Sequence, residues 1–403
     1  MKRPILLLLS ATSGYGHVQA GMSLARSLRK LVPEWDVRHE NLCDYASPLQ
    51  RWSIERLWQA ASTWPGFRSV YGWLHRWVVT DDLLGSYFSR LYRPIGDRLA
   101  ERYAQVDVAG VVALHPGAAC AAVWWKRRQE FYLGVVATDL VVHSLQVLPG
   151  VDAIFADCRS VFACPAAVAR KREGRINLTG LPVGHAFFDL KSQAAKTAAF
   201  HVVVSFGAKA LRAAWHLPTL MKLVSEQTSL TFTFVCGHDR RLRARVEYLV
   251  RQRNWSKRVE VVGFARNMPE LLRKADVVIG KAGGISVGEV LAACKPLLII
   301  EVLPGQEEYN AQVLEAVGAG RVLRDYVQLL EALDDVRNGT WRIDVVGSRS
   351  ASGIAAVSME IAEDIQGRRL FTAARPNERI ASTRLGLPAG FKCQIVPMSK
   401  TSQ

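Results

Sequence analysis

No apolar run in this chain of 403 residues approaches the ~20 residues a membrane-crossing helix needs. The chain is expected to touch a membrane at most, not to cross it. No two of its seven cysteines form a CxxC pair; they stand alone at 43, 120, 158, 164, 236, 294 and 393. Neither a zinc site nor a disulfide framework is indicated, and a reducing compartment is. No DxD triplet occurs, only the adjacent pairs Asp81-Asp82 and Asp334-Asp335, so no metal-clamped phosphate site is expected. There is no GxxxxGK[ST] loop and no clean GxGxxG. Acidic residues are scarce as well: 36 Asp plus Glu against 52 Lys plus Arg, a net charge of +16. That balance favours an anionic partner. No RNA-binding motif with interleaved aromatics accompanies it, so nucleic acid is not the expected partner.

What is present is the composition of a globular protein, 49% hydrophobic and 22% charged, long enough for two or three domains. The start, "MKRPILLLLSATSG", imitates a signal peptide. Its apolar core, Ile5 to Leu9, is shorter than the roughly 7–15 residues of a signal, and it reads as a buried strand. "SGYGH" follows, and then helical spacing from His17 to Leu31 that Pro33 ends. Buried strands at Val108–Leu114 and Tyr132–Thr138, and shorter ones at Ala153–Ala156 and Ile176–Thr179, continue the rhythm of a doubly wound parallel sheet.

Residues 49–105 break that rhythm. They hold five of the eleven tryptophans (Trp52, Trp58, Trp64, Trp73, Trp77), eight arginines, no lysine and five acidic residues. Arg- and Trp-rich amphipathic helices suit a membrane interface; aromatic packing inside a helical insertion fits the pattern equally well. The strand–helix alternation restarts at Val202–Ser205 and runs to a helix near Glu307–Val317. The expected organisation is an α/β chain of two Rossmann-like doubly wound domains. Residues 1–190 form the first, with 49–105 inserted. "KSQAAKTAA" (191–199) is the linker, 200–366 the second domain, and 367–403 a basic mobile tail.

The chemistry concentrates in 261–320. Strand Val277–Ile279 runs into Lys281-Ala282-Gly283-Gly284 and then a helix. Two glycines let backbone approach a ligand, and a helix N-terminus offers free N–H groups to a diphosphate. A tight βα turn alone would explain the glycines equally well. Glu289, within the first two turns, is placed to accept from ribose hydroxyls. Gln306, Glu307 and Asn310 follow the next strand and suit the hydroxyls of a sugar.

"NMPELL", "KAGG", "SVGE" and "PGQEEYNAQ", in this order and spacing, resemble the donor half of the processive diacylglycerol glycosyltransferases and monogalactosyldiacylglycerol synthases. A more distant likeness is to the peptidoglycan transferase that adds N-acetylglucosamine to a lipid-linked precursor. "SGYGH", "HPGAA" (115–119), "VATD" (136–139), "PGVD" (149–152) and "TGLPV" (179–183) carry the resemblance through the first half. It covers about residues 5–365 and is weakest at 45–105. The resemblance implies a GT-B fold with a cleft between its domains. It implies inverting transfer of a hexose from a UDP-sugar, without cofactor or metal, to a membrane lipid such as diacylglycerol or a glycosyldiacylglycerol. The place implied is the cytoplasmic face of the cell membrane, peripherally bound to an anionic surface. It maps Phe264 and Ala265 to the uracil, Gly283 and Gly284 to the diphosphate, Glu289 to the ribose, Gln306 and Glu307 to the sugar, and Ser205 and Gly207 to the cleft. The chain departs from the pattern at Ala282 (usually proline) and at Val18 and Gly184 (commonly arginine).

Inverting transfer needs a base for the acceptor hydroxyl. His17, at a predicted helix N-terminus where the dipole disfavours imidazolium, is the expected base. Asp139 is its rival or its orienting partner. His115, before Pro116, is expected to be structural. Gly14 and Gly16 are read as room for acceptor and sugar, and Trp52, Trp58, Trp73 and Trp77 as acceptor- or membrane-facing. A polyprenyl-linked or hydrophobic small-molecule acceptor, or a non-catalytic lipid-binding protein on the same frame, are the alternatives.

Overall fold

The structure is a computed structural model that describes residues 3–12, 15–52, 56, 60, 64–188, 199–210, 212–343 and 353–374. The expectations on Gly14, Trp58, the linker apart from Ala199, and the chain beyond Ala374 lie outside the described residues.

The first sheet is all parallel, with strands β1 (Ile5–Ser10), β2 (Asp36–Asn41), β3 (Val108–Ala113), β4 (Tyr132–Val136), β6 (Ala153–Ala156) and β8 (Ile176–Leu178) in the order β2-β1-β3-β4-β6-β8. The short β5 (Val141–Val142) and β7 (Val161–Phe162) pair apart from it. Helices cover both faces, so β1, β3 and β4 are buried along their whole length and read as continuous apolar runs. The edge strand β2, "DVRHEN", buries Val37 alone and so carries no apolar signature. Helix α1 (Tyr15–Leu31) follows β1 and packs Ala20, Leu24 and Leu28 against Leu6 and Leu8.

Between β2 and β3 lie helices α2 (Pro65–Thr80), α3 (Asp82–Ser89) and α4 (Arg93–Arg102). Pro65 and Pro94 stand in the first turns of α2 and α4, where the missing N–H costs nothing. Asp81 caps α3 by accepting from the N–H groups of Leu83 and Leu84. Helix α5 (Pro116–Lys126) follows β3, and α6 (Pro165–Arg172) follows β7.

The second sheet is also all parallel. Its strands are β9 (His201–Ser205), β10 (Thr231–Val235), β11 (Val259–Val262), β12 (Val277–Lys281), β13 (Leu297–Glu301) and β14 (Gly320–Val322), ordered β11-β10-β9-β12-β13-β14. Helices α7 (Ala213–Glu226), α8 (Arg240–Gln252), α9 (Met268–Lys274), α10 (Gly284–Ala292), α11 (Gln306–Ala316) and α12 (Tyr326–Arg337) wind around it. Two Rossmann-like doubly wound units result, as expected.

The last helix, α13 (Gly353–Ala374), corrects the expected domain boundary. Its Ile354, Val357, Ile361 and Ile365 are buried with Leu6 and Tyr132 of the first sheet and with Leu24 and Leu28 of α1. That apolar stripe lies beside α1 on the same face of the first sheet. The chain therefore crosses back, and the expected tail from 367 begins inside a helix.

Strand order reverses between β1 and β3 in one sheet and between β9 and β12 in the other. Loops leaving such switch points part to either side and form a crevice at the strand ends. The start of α1, with His17, and the turn Lys281–Gly284 both sit there.

Candidate active site

A cleft of about 1310 Å³ lies between the two units, lined by the loops of both switch points. The helix N-termini of α1 and α10 meet across it. A Cβ on Gly16 would come 3.1 Å from Ile285 of α10. One on Gly284 would come 2.1 Å from the Thr138 carbonyl and 2.4 Å from Asp139 Oδ1. Both glycines thus serve contact between the domains. Gly16, expected to leave room for acceptor and sugar, lines the cleft and also lies against Ile285 of α10. Tyr15 reaches across and meets Phe264 and His238 edge-on, at 5.4 and 5.0 Å between ring centres.

His17 occupies the first turn of α1, buried, with 8% of its surface exposed. Its Nδ1 lies 2.8 Å from the Leu114 carbonyl and 2.8 Å from Thr138 Oγ1. A carbonyl only accepts, so Nδ1 carries the proton and Nε2 holds the lone pair. Nε2 has no protein partner among the described residues, and the ring lines the cleft. Burial lowers the pKa of His17; Asp139 and the Leu114 carbonyl oppose that and Lys281 adds to it. The ring is a neutral base at neutral pH, held in the tautomer that base catalysis needs.

Asp139 stands behind this histidine. Thr138 Oγ1 lies 3.4 Å from Asp139 Oδ2, and Asn310 Nδ2 donates to Oδ1 at 2.9 Å. Asn310 was expected to face the sugar, but it is fully buried and absent from the cleft wall. Its amide donates to Asp139 and to the Ala282 carbonyl, and its oxygen accepts from the Leu140 N–H at 2.7 Å. It ties the two domains together beside His17. His115 caps α5, its Nδ1 accepting from the Gly117 N–H at 3.0 Å, in the structural role expected of it.

The other half of the cleft is built by the second domain. Ser205, Gly207, Phe264, Ala265, Lys281, Gly283, Gly284, Glu289, Gln306 and Glu307 all line it. Gly207 has φ +74°, a backbone that favours glycine. Phe264 stacks on His238, 4.3 Å apart and nearly coplanar. Gly283 caps α10, whose first N–H groups open towards the cleft. Glu289 has no protein partner among the described residues, and burial raises its carboxyl to about 8. A carboxylate so placed gains from any ligand hydroxyl that donates to it. Glu307, by contrast, is already engaged: it pairs with Lys281, and its Oε2 accepts from the Leu303 N–H at 2.9 Å.

Residues 201–340 match the model of the glycosyltransferase family 28 C-terminal domain. The processive diacylglycerol beta-glucosyltransferase of Bacillus cereus (strain B4264) is 26% identical over 354 residues, covering 84% of this chain and 88% of that protein. That of Bacillus cytotoxicus is 24% identical over 354 residues, covering 82% and 85%. Among solved structures, Acinetobacter baumannii MurG aligns with a TM-score of 0.54 at 13% identity, over 91% of this chain and 100% of that one. The glycotransferase of kitacinnamycin aligns at 0.59 and 13%, over 91% and 100%. At 13% identity the structures speak for the fold alone. The chain is a GT-B glycosyltransferase. The resemblance carried by its motifs is borne out.

Part of this transferase's site escapes any motif. Helix α2 lies against the second domain and brings Tyr71 and His75 into the cleft. Burial, reinforced by the charges of Asp139 and Glu307, pushes the Tyr71 hydroxyl up. Burial lowers His75 to about 4, against the opposing effects of Asp139 and of a hydrogen bond with Gln306. His143, beyond β5, falls to about 3 for the same reason, helped by His75. The histidine row is therefore neutral. Tyr15 and His238 were missed as well. The signal for Tyr15 was its place inside the glycine turn; α2 gave none, because nothing in its spacing says what it lies against.

Helix α2 also reverses the usual amphipathic arrangement. Arg68, Gly72, His75 and Arg76 face the protein, whereas Trp64 at the N-cap and Val70, Trp73 and Trp77 along the outer side are each more than half exposed. Trp52 is exposed too, as are Leu83 and Leu91. No helix among the described residues is long and apolar enough to cross a membrane.

Proposed function

We propose that this transferase moves a hexose, with inversion, from a UDP-sugar to a membrane lipid, diacylglycerol or a glycosyldiacylglycerol. It does so while bound peripherally to the anionic cytoplasmic face of the cell membrane. The observation that carries this reading is His17. It is neutral and fixed through Nδ1, and it offers a free Nε2 to the cleft opposite the N-terminus of α10.

The acceptor hydroxyl gives its proton to Nε2 as its oxygen forms a bond to the anomeric carbon. The bond from that carbon to the UDP oxygen breaks, and the electron pair leaves with UDP. The free N–H groups and positive dipole end of α10 stabilise the departing diphosphate without a metal or cofactor. Phe264 and Ala265 are assigned to the uracil, Glu289 to the ribose, and Gln306 with Glu307 to the sugar. The relatives named as diacylglycerol glucosyltransferases support the lipid acceptor. So does the outward apolar face of α2, which exposes several indoles together on a strongly basic protein.

The test is incubation with a panel of UDP-sugars and a total lipid extract, followed by mass analysis of products. One or more hexoses on a diacylglycerol is expected. Turnover only with polyprenyl-linked or small hydrophobic acceptors would replace the acceptor, and UDP release with none of them would overturn the assignment.

A further inference from the structure

The inward face of α2 meets one continuous segment of the second domain, residues 301–308, which carries the sugar-facing Gln306 and Glu307. Arg68 Nη1 pairs with Glu301 Oε1 at 2.8 Å, and its Nη2 donates to the Val302 carbonyl at 2.8 Å. Gly72 lies so close to Pro304 that a Cβ would stand 2.6 Å from the proline's own. His75 packs on Gly305, next to Gln306, where a Cβ would fall 2.9 Å from its ring. Gly305 has φ +103°, so no side chain belongs there. Arg76 pairs with Glu308 at 3.2 Å. Residues 68, 72, 75 and 76 are one face of a helix, and they touch 301, 302, 304, 305, 306 and 308 in ascending order.

The anchor of this contact is buried and charged. Glu301 accepts from His216 Nε2 at 2.7 Å and from Arg212 Nε at 3.1 Å as well as pairing with Arg68. Burial alone would raise its carboxyl, but the His216 hydrogen bond and the charges of Arg68 and Arg212 hold it at about 2. The opposite face of the same helix is the apolar one that carries Val70, Trp73 and Trp77.

We propose that α2 couples the lipid surface to the donor sugar. Arg68 and His75 act as positioning residues that hold the 301–308 segment, and docking of the outer face on a bilayer fixes the helix that holds it. This rests on the peripheral-membrane reading above. It makes the sugar, not the nucleotide, the part of the donor that senses the membrane. The uracil and diphosphate groups are held by residues that α2 does not touch.

The test is calorimetric binding of UDP-glucose and of UDP, with and without vesicles of phosphatidylcholine and phosphatidic acid, which offer no acceptor hydroxyl. Vesicle binding is followed in parallel by sedimentation. Vesicles are expected to tighten UDP-glucose about tenfold and to change UDP by less than about twofold. By reciprocity UDP-glucose tightens vesicle binding by the same factor. Arg68→Met, which leaves Glu301 to Arg212 and His216, and Gly72→Val, which wedges α2 away from Pro304, should still bind vesicles and UDP but lose the vesicle effect on UDP-glucose. Vesicle binding with no change in UDP-glucose affinity would overturn the coupling while the membrane reading stands. An unchanged vesicle effect in both variants would overturn it too. Absence of vesicle binding by the unaltered protein would remove the membrane reading itself, and the coupling with it.

Discussion

Two helix N-termini meet at the centre of the cleft, built alike from a strand, a turn with glycine and a helix. They do different work. The first, α1, places a titratable ring there and fixes its tautomer from behind through Leu114. The second, α10, brings backbone N–H groups, a dipole and, further along, the carboxyl of Glu289, which has no partner among the described residues. In the proposed transfer one end takes a proton and the other receives negative charge. Burial keeps the histidine neutral at the first, and the dipole favours a phosphate at the second.

Substitution at the base tests this division most severely. His17→Ala should lower kcat about 1000-fold, the scale of general-base loss, with the Kd for UDP nearly unchanged. Single-turnover kinetics beside calorimetry separates the two, and near-normal transfer would hand the base to Asp139. The paired glycines come next. Gly284→Ala drives a Cβ into the Thr138 backbone carbonyl at 2.1 Å, which cannot yield without parting the domains. Misplacement by about 1 Å costs about 100-fold, and that loss is expected in kcat/KM. Gly16→Ala meets the Ile285 side chain, with Cγ1 at 3.1 Å, a contact that a few tenths of an ångström relieves, so a loss under about threefold is expected. Equal losses at both positions would mean that the two turns are not distinguished in this way.

The donor end is probed more gently. Glu289→Gln should weaken UDP binding about tenfold, the size of a hydrogen bond to a charged group. In the unaltered protein the carboxyl sits at about 8 when free. Bound hydroxyls favour its ionised form, so binding releases a proton. UDP affinity should therefore rise as pH approaches 8 and level off above it, and the variant should lose that rise. A pH-independent Kd in the unaltered protein would remove Glu289 from the ribose.

The donor half was more legible than the acceptor half, for a physical reason. Phe264, the Lys281–Gly284 turn, Glu289 and Gln306 all sit at strand ends or in the first turns that follow, where a regular βα rhythm places them from sequence alone. Asn310 lies one turn further along α11, and that was enough to carry it out of the cleft and into the domain contact. Tyr71, His75 and Arg68 come from an insertion, whose register against the other domain depends on the whole fold. The polar strand β2 and the return of α13 escaped for a related reason. An edge strand needs no apolar run, and a helix stripe does not name the sheet it covers.

A further modest effect decides between the two base candidates at the first switch point. Asp139 raises the pKa of His17 against burial. Asp139→Asn removes that charge, so the His17 pKa falls further and the base becomes weaker. At saturating donor and acceptor, where kcat reports groups in the bound complex, the acid limb should move to lower pH and the plateau should drop only a few-fold, roughly the Brønsted cost of a weaker base. A second contribution has the same origin: the neutral asparagine oxygen accepts from Asn310 more weakly than a carboxylate does, so that contact between the domains loosens. That part should appear in KM and in thermal stability and leave the acid limb where the lost charge puts it. If the variant loses most transfer and the residual rate shows no acid limb, the proton goes to Asp139, and Nε2 of His17 serves to orient the acceptor.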